Sequence, residues 1–144
     1  MELHITFQVG TASYAVPAAQ VLHLESFETA TPVPGAPAYV AGIVQVRGRL
    51  VPVVDLRSRF GLPATEHTID HRVVVVQSGA RVAGLLVDSA REVMKIDPDA
   101  FEKPPELVEQ QAGGFIKGVA TVASRMFMLV DVPKVLGEEL AHGG

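Results

Sequence analysis

Residues 39–63 read YVAGIVQVRGRLVPVVDLRSRFGLP, three short elements with almost no residue between them. Residues 43–47 are rich in β-branched side chains, and Val44 and Val46 alternate with Gln45 and Arg47. That pattern predicts a strand. Gly48 and Arg49 read as a two-residue turn, because Gly takes the positive φ a tight hairpin needs. Residues 50–54 are almost wholly apolar, as a strand buried on both faces requires. Pro52 cannot donate to a ladder, so the strand should meet an edge or a bulge there. Asp55 is a good N-cap, residues 56–60 make about one helical turn, Gly61 can close it and Pro63 stops it. The same stretch sets Arg47, Arg49, Arg57 and Arg59 around a single carboxylate, Asp55.

Working outward, 144 residues fit one domain, or two small lobes sharing a core. With 48% hydrophobic residues, disorder is expected only at the ends. The chain has no cysteine, which removes disulfides and thiolate chemistry and fits a cytoplasmic protein. No apolar run approaches the ~20 residues of a membrane span. The N-terminus lacks a signal-peptide pattern. A net charge of -4 argues against general nucleic-acid binding.

Leu3, Ile5, Phe7 and Val9 alternate with His4, Thr6 and Gln8, a half-buried strand. Residues 10–13 turn and 14–16 return, with a short connector at 17–20. From 21 to 27 the period is two again. Leu22 and Leu24 point one way, and Val21, His23 and Glu25 form the other, solvated face. Residues 28–38, ETATPVPGAPA, form an extended loop, and 64–71 a polar one. Residues 72–77 and 82–87 read as a hairpin, and 92–96 as a further strand with Val93 inside. Residues 97–112 are irregular. A last hairpin turns at Ser124 and Arg125. Asp131 caps a final helix with Val132, Val135, Leu136 and Leu140 on its apolar stripe, and residues 141–144 fray. Many short strands at this spacing predict a mainly β fold, a barrel or sandwich. One lobe of half this length would be marginal alone, so two small barrels sharing a seam are expected.

Nothing here reads as an enzyme. No G-x-S-x-G elbow or phosphate-cradling Gly loop is present. His67, Asp70 and His71 would share a face only on a helix, where they could ligate zinc. Their neighbours do not favour a helix and no fourth ligand is evident, so a solvated loop without a metal is expected. The clustered arginines raise an alternative, a small barrel binding nucleic acid. With no Trp and two Tyr, the chain lacks the stacking residues such barrels use.

Gly42-Ile43-Val44-Gln45-Val46-Arg47-Gly48, followed by Val51-Pro52-Val53-Val54-Asp55-Leu56-Arg57 and Phe60-Gly61, resembles the signature of CheW-type domains. These are the adaptors that join bacterial chemoreceptors to the histidine kinase CheA. Phe7-Gln8-Val9-Gly10, Gly84-Leu85-Leu86-Val87-Asp88 and Met128-Leu129-Val130-Asp131 extend the resemblance over most of the chain. It implies a single CheW-like domain over residues 1–144, built of two five-stranded SH3-like barrels packed together, with a short capped turn after the signature strand and a C-terminal helix. The first barrel would take about 14–74, and the second 1–13 with 75–144. It also implies a stand-alone cytoplasmic adaptor with no catalysis and no cofactor, recruited to receptor arrays. Its partners would be a chemoreceptor's cytoplasmic tip and the regulatory domain of a CheA-type kinase, with no nucleic acid and no membrane insertion. A relative binding only the kinase in a motility or pilus pathway is the alternative.

By the same resemblance, Val21, His23, Gly42 and Arg47 face the receptor, with an intramolecular salt bridge as a second role for Arg47. Val73, Gly84, Ala90 and Val93 match partner-contact positions on the second barrel, with core packing the better reading of Val73. One departure stands out. Where the family carries a glutamate paired with the arginine matching Arg47, this chain has His23. Glu25 lies two residues on, on the same face and roughly 6.6–6.8 Å along the strand. It is the expected replacement partner of Arg47.

Overall fold

The computed structural model describes residues 1–111 and 114–137. Among them run β1 (Glu2–Val9), β2 (Ala12–Pro17), β3 (Val21–Ser26), β4 (Val40–Val46), β5 (Arg49–Asp55), β6 (Arg72–Ser78), β7 (Arg81–Val87), β8 (Ser89–Ile96), β9 (Ile116–Val122) and β10 (Arg125–Val130). Three short helices, α1 (Leu56–Arg59), α2 (Glu106–Gln111) and α3 (Val132–Leu136), lie between and after them. The fold is mainly β, two five-stranded SH3-like barrels whose strand orders are β3-β6-β7-β5-β4 and β8-β1-β2-β10-β9.

The valine run of β6 shows why two barrels pack as one unit. Alternate residues of a strand face opposite sides. Val73 and Val75 enter a core inside the first barrel with Phe27, Val46, Val51, Val53 and Leu86. Val74 and Val76 enter a second core shared by both barrels. Ile5, Phe7, Val9 and Val16 reach that shared core from the second barrel, and Val132, Val135 and Leu136 of α3 close it. A strand with a core on each side has no polar face, hence the unbroken apolar run.

The barrel boundary differs from the one the resemblance implies. β2 belongs with β1 and β7 with β6, so the first barrel spans β3 to β7 and the second takes the strands on either side. Each of these pairs is a tight hairpin with full-length pairing, Val9 opposite Ala12 and Ser78 opposite Arg81. A continuous ladder of that kind cannot be divided between two barrels.

The barrels repeat one plan, and the sequence alone did not reveal it. β5 runs parallel to β7, and β10 parallel to β2. An isolated bridge joins Thr31 to Ile43 in the first, and Glu102 to Val119 in the second. The N–H of Asp55 donates to Tyr39 O and that of Asp131 to Phe115 O, both at 2.8 Å. Each Asp then caps a short helix, accepting from Arg57 N–H at 3.0 Å and Lys134 N–H at 3.2 Å. Even the bulges correspond. The register skips Leu22 in β3 and residue 91 in β8, then residue 41 in β4 and Lys117 in β9. Glu92 is therefore the counterpart of His23, and Gly118 that of Gly42.

Several local expectations need correction. The signature hairpin turns at Arg47 (φ 51) and Gly48 (φ 81), and the last one at Ala123 (φ 51) and Ser124 (φ 65). Both turns lie one residue earlier than the sequence reading placed them. This hairpin turn requires positive φ at both central residues, and its Gly belongs at the second. Pro52 sits inside the sheet, opposite Ile43, but β5 meets β7 only from Val53 onward, so no ladder bond is lost. β1 is buried on both faces at its centre: His4 and Thr6 are each 2% exposed. Phe101 covers His4, with ring centroids 5.3 Å apart, and Thr6 Oγ1 donates to Glu92 O at 3.1 Å. The irregular stretch after residue 96 thus lies over this face, and it contains α2. The Leu140 stripe position and the fraying of 141–144 fall outside the described residues.

Candidate functional site

β3 ends the first sheet, so one side of it meets no further strand. The bulge at Leu22 breaks the alternation expected of β3: Val21 faces the shared core beside Val76, while His23 and Glu25 face the other way with Val75 and Val73. Leu22 and Leu24 are the exposed residues, at 38% and 47%, while Val21, His23 and Glu25 are half-buried. Val21 packs against the shared core. The His23 side chain makes no hydrogen bond or ion pair within the described residues. Arg47 reaches from the hairpin turn to Glu25, Nε to Oε1 at 3.4 Å, with side chains 69% and 34% exposed. In the second barrel Glu92, the counterpart of His23, accepts from Arg125 Nη1 at 2.6 Å. The repeat therefore keeps an acid at this place in one barrel, and in the other moves it two residues along.

Gly42 has φ +145, and a Cβ built on it would lie 2.3 Å from Thr31 O. The backbone that approaches Gly42 closely is the chain's own, at the Thr31–Ile43 bridge. Val73 and Gly84 lie in the first barrel and not in the second. Val73 is 1% exposed, and a Cβ on Gly84 would lie 2.4 Å from Val73 Cγ1. They pack on each other inside the first barrel. Ala90 is half-buried against the shared core. Val93, expected inside, is 57% exposed, because β8 is an edge strand. β3 lies beside β6, and β6 contacts β8, so the two free edges flank one strip of the shared core.

The four arginines of the signature do not gather on Asp55. Besides Arg47, Arg59 donates to Val135 O at 2.9 Å and Lys134 O at 3.2 Å, and its guanidinium lies 3.7 Å from the Tyr39 ring centroid. Arg57 forms a bidentate pair with Asp88, Nε to Oδ1 at 2.9 Å and Nη2 to Oδ2 at 2.7 Å. Three of the four are thus held by partners within the chain, and Arg49 is exposed on the hairpin. Asp88 is the single residue between β7 and β8, where the chain passes from one barrel to the other. Its Oδ2 also accepts from Gly10 N–H of the second barrel at 2.8 Å. Asp88 thus holds both barrels at the crossing. Nothing in the local sequence points to this role, because its partners lie far off in the chain.

His71 completes this cluster. It is 5% exposed, its Nδ1 accepts from Thr68 N–H at 3.0 Å, and its Nε2 lies 3.6 Å from Asp88 Oδ1. Burial lowers its pKa below 6.5, and the charges of His67 and Arg57 add to this against Asp88 and Asp55. Burial pushes Asp88 up, but the Arg57 and Gly10 hydrogen bonds and the nearby positive charges outweigh it and hold it below 3.8. Arg57, bonded to Asp88, is held more firmly protonated than usual. The signs fix an order of events on acidification. The unfolded chain takes up the His71 proton near 6.5 and the fold resists it, so stability is full above that pH and falls below it. The share owed to Asp88 is lost at still lower pH, through its depressed folded value. Urea melts of His71→Asn are expected to show a flatter loss between about pH 7 and about pH 5 than the unaltered chain. An unchanged slope would assign the loss to another histidine. His67 and His71 rings lie 5.1 Å apart, yet no three His, Asp or Glu side chains among the described residues are placed to share a metal ion. No helix among them is long and apolar enough to cross a membrane.

Residues 4–140 match the family model of the CheW-like domain. The chain is 34% identical over 135 residues to the chemotaxis protein CheW of Rhizobium meliloti, covering 94% of this chain and 87% of that one. It is 31% identical over 138 residues to the chemotaxis protein CheW of Bacillus subtilis, covering 96% and 88%. The crystal structure of the scaffolding protein TtCheW from Thermoanaerobacter tengcongensis superimposes with a TM-score of 0.86 at 27% identity, covering 94% of this chain and 92% of that one.

Proposed function

The chain belongs to the CheW-like domain family, and from that premise we propose that it is a non-catalytic chemotaxis adaptor. It binds the cytoplasmic tip of a chemoreceptor and the regulatory domain of a CheA-type kinase together, on the cytoplasmic side and within receptor arrays. One observation carries the reading. Leu22 and Leu24 on β3 and Val93 on β8 stand in solvent on two free edges, while Val21 and Ala90 beside them rest on the shared core. An amphipathic helix lays its apolar face into a strip of this kind. The barrel edges then supply polar ends: His23 with the Glu25–Arg47 pair on one, and Glu92 with Arg125 on the other. Receptor state reaches the kinase through differential binding, with no chemistry in the adaptor itself.

The test is a double-mutant cycle on Glu25→Ala and Arg47→Ala with purified receptor and kinase fragments. An exposed pair contributes at most about 1 kcal/mol to stability. The melting temperature should therefore barely move. Receptor affinity should fall non-additively, and kinase affinity should stay unchanged. Strict additivity in receptor affinity would sink the role of the pair. Binding of the kinase fragment with no receptor binding by the unaltered chain would mark an adaptor that serves the kinase alone.

A further inference from the structure

The edges of the first sheet, β3 and β4, are not closed along their length. Thr31 and Ile43 exchange hydrogen bonds of 2.9 and 2.8 Å, and from that bridge the two chain segments diverge. Between them lies a groove of about 410 Å³. Its floor is Phe27, Val46 and Val73 from the first barrel's own core, and its rim carries Glu25 and Glu28. The Arg47–Glu25 pair crosses the end away from the bridge.

One wall of the groove is an unsatisfied strand edge. In a two-residue hairpin the closing pair, here Val46 and Arg49, exchanges hydrogen bonds, and pairs then alternate. Gln45 and Ile43 therefore turn their N–H and C=O away from β5. Ile43 gives both groups to Thr31, whereas those of Gln45 have no protein partner within the described residues. The repeat carries the same gap, about 480 Å³, with different walls. In the second barrel the corresponding gap lies against the segment leading into α2 and is lined by Lys103, Pro105 and Val108. In the first barrel no helix follows the bridge, and no Lys or Arg lines the groove.

We propose that this groove binds an extended segment of a partner protein, alternating apolar residues with Lys or Arg. The segment adds a strand against β4 and bonds to Gln45 N–H and C=O, as strand addition at free edges does. Its apolar side chain covers Phe27 and Val46. Its cation sits between Glu25 and Glu28 and takes Glu25 from Arg47. The groove shares the Glu25–Arg47 pair with the strip assigned to the receptor helix but is otherwise lined by different residues, and the proposal does not depend on that assignment.

A random nonapeptide display library, selected against the full chain, tests this. Recovered sequences should alternate apolar and basic residues. A synthetic copy of the best one should slow hydrogen exchange at the Gln45 amide. Glu28→Lys should weaken that peptide about tenfold or more. Gln45→Pro removes the free donor but no hairpin bond, and should do the same with the melting temperature kept. If it fails to fold, Glu28→Lys alone decides the matter. Recovery of no sequences, or of sequences without basic enrichment, overturns the proposal. So does peptide binding that leaves the Gln45 amide unprotected or is indifferent to Glu28→Lys.

Discussion

Val54→Asp is expected to yield no folded protein. Val54 is 0% exposed, paired with Val40 of β4 on one side and Leu85 of β7 on the other, and its side chain enters the shared core. An aspartate there has no cation within that core to pair with. An isolated carboxylate in an apolar core costs well beyond the roughly 3–5 kcal/mol of a broken buried pair, enough to consume a total stability of roughly 5–15 kcal/mol for a domain. The core in question joins the barrels, so its loss is not confined to one of them. Circular dichroism and a thermal melt read the result. A soluble variant with a native spectrum and a cooperative transition would show that this seam is not what holds the molecule together.

Gly42→Asp should be almost as damaging, and for a backbone reason. By the family resemblance Gly42 lies on the receptor face, and a substitution that touched only that face would leave the fold largely intact. A loss of stability is expected instead, since a Cβ would lie 2.3 Å from Thr31 O and 2.7 Å from Thr31 C at a φ of +145. The Thr31–Ile43 bridge must open, at a cost of about 2–4 kcal/mol. Receptor and kinase binding should fall together. Gly42→Ala should show most of the loss, because the Cβ and not the charge is at fault. At the counterpart Gly118 the nearest atom is Phe101 Cβ at 3.0 Å, so a shift of a few tenths of an ångström makes room, and no left-handed φ adds strain. Gly118→Ala should therefore cost less. A full-stability Gly42→Ala that still binds the kinase and not the receptor would restore the surface role.

What the sequence made legible is what local physics controls. The valine run of β6, the Asp caps of α1 and α3 and the Gly-containing hairpins each rest on neighbours a few residues away. Four features were not legible because distant residues decide them. His4 and Thr6 look solvent-facing until Phe101 and the stretch after β8 lie over them. Leu22 and Leu24 look like core until β3 proves to be a sheet edge. Arg57 sits beside Asp55 in the chain, yet it pairs with Asp88. Val73 and Gly84 match contact positions of the family but interlock inside the first barrel. The Glu25–Arg47 contact was accessible because both the missing glutamate and its nearest substitute lie on one short strand.

The strand order also sets a timetable for synthesis. β1 and β2 leave the ribosome first, but β8, β9 and β10, which flank them, are made last. On the order of a hundred residues separate β2 from its parallel partner β10, roughly 5–20 s of translation. Throughout that interval the hairpin of β1 and β2 carries Ile5, Phe7, Val9 and Val16 with no barrel to enter. The strands of the first barrel, by contrast, emerge consecutively and can close as they appear. Their outer face, with Val74, Val76, Leu85 and Val87, then offers the early hairpin an apolar surface to rest on. The nascent chain thus builds its middle first and completes its ends around it.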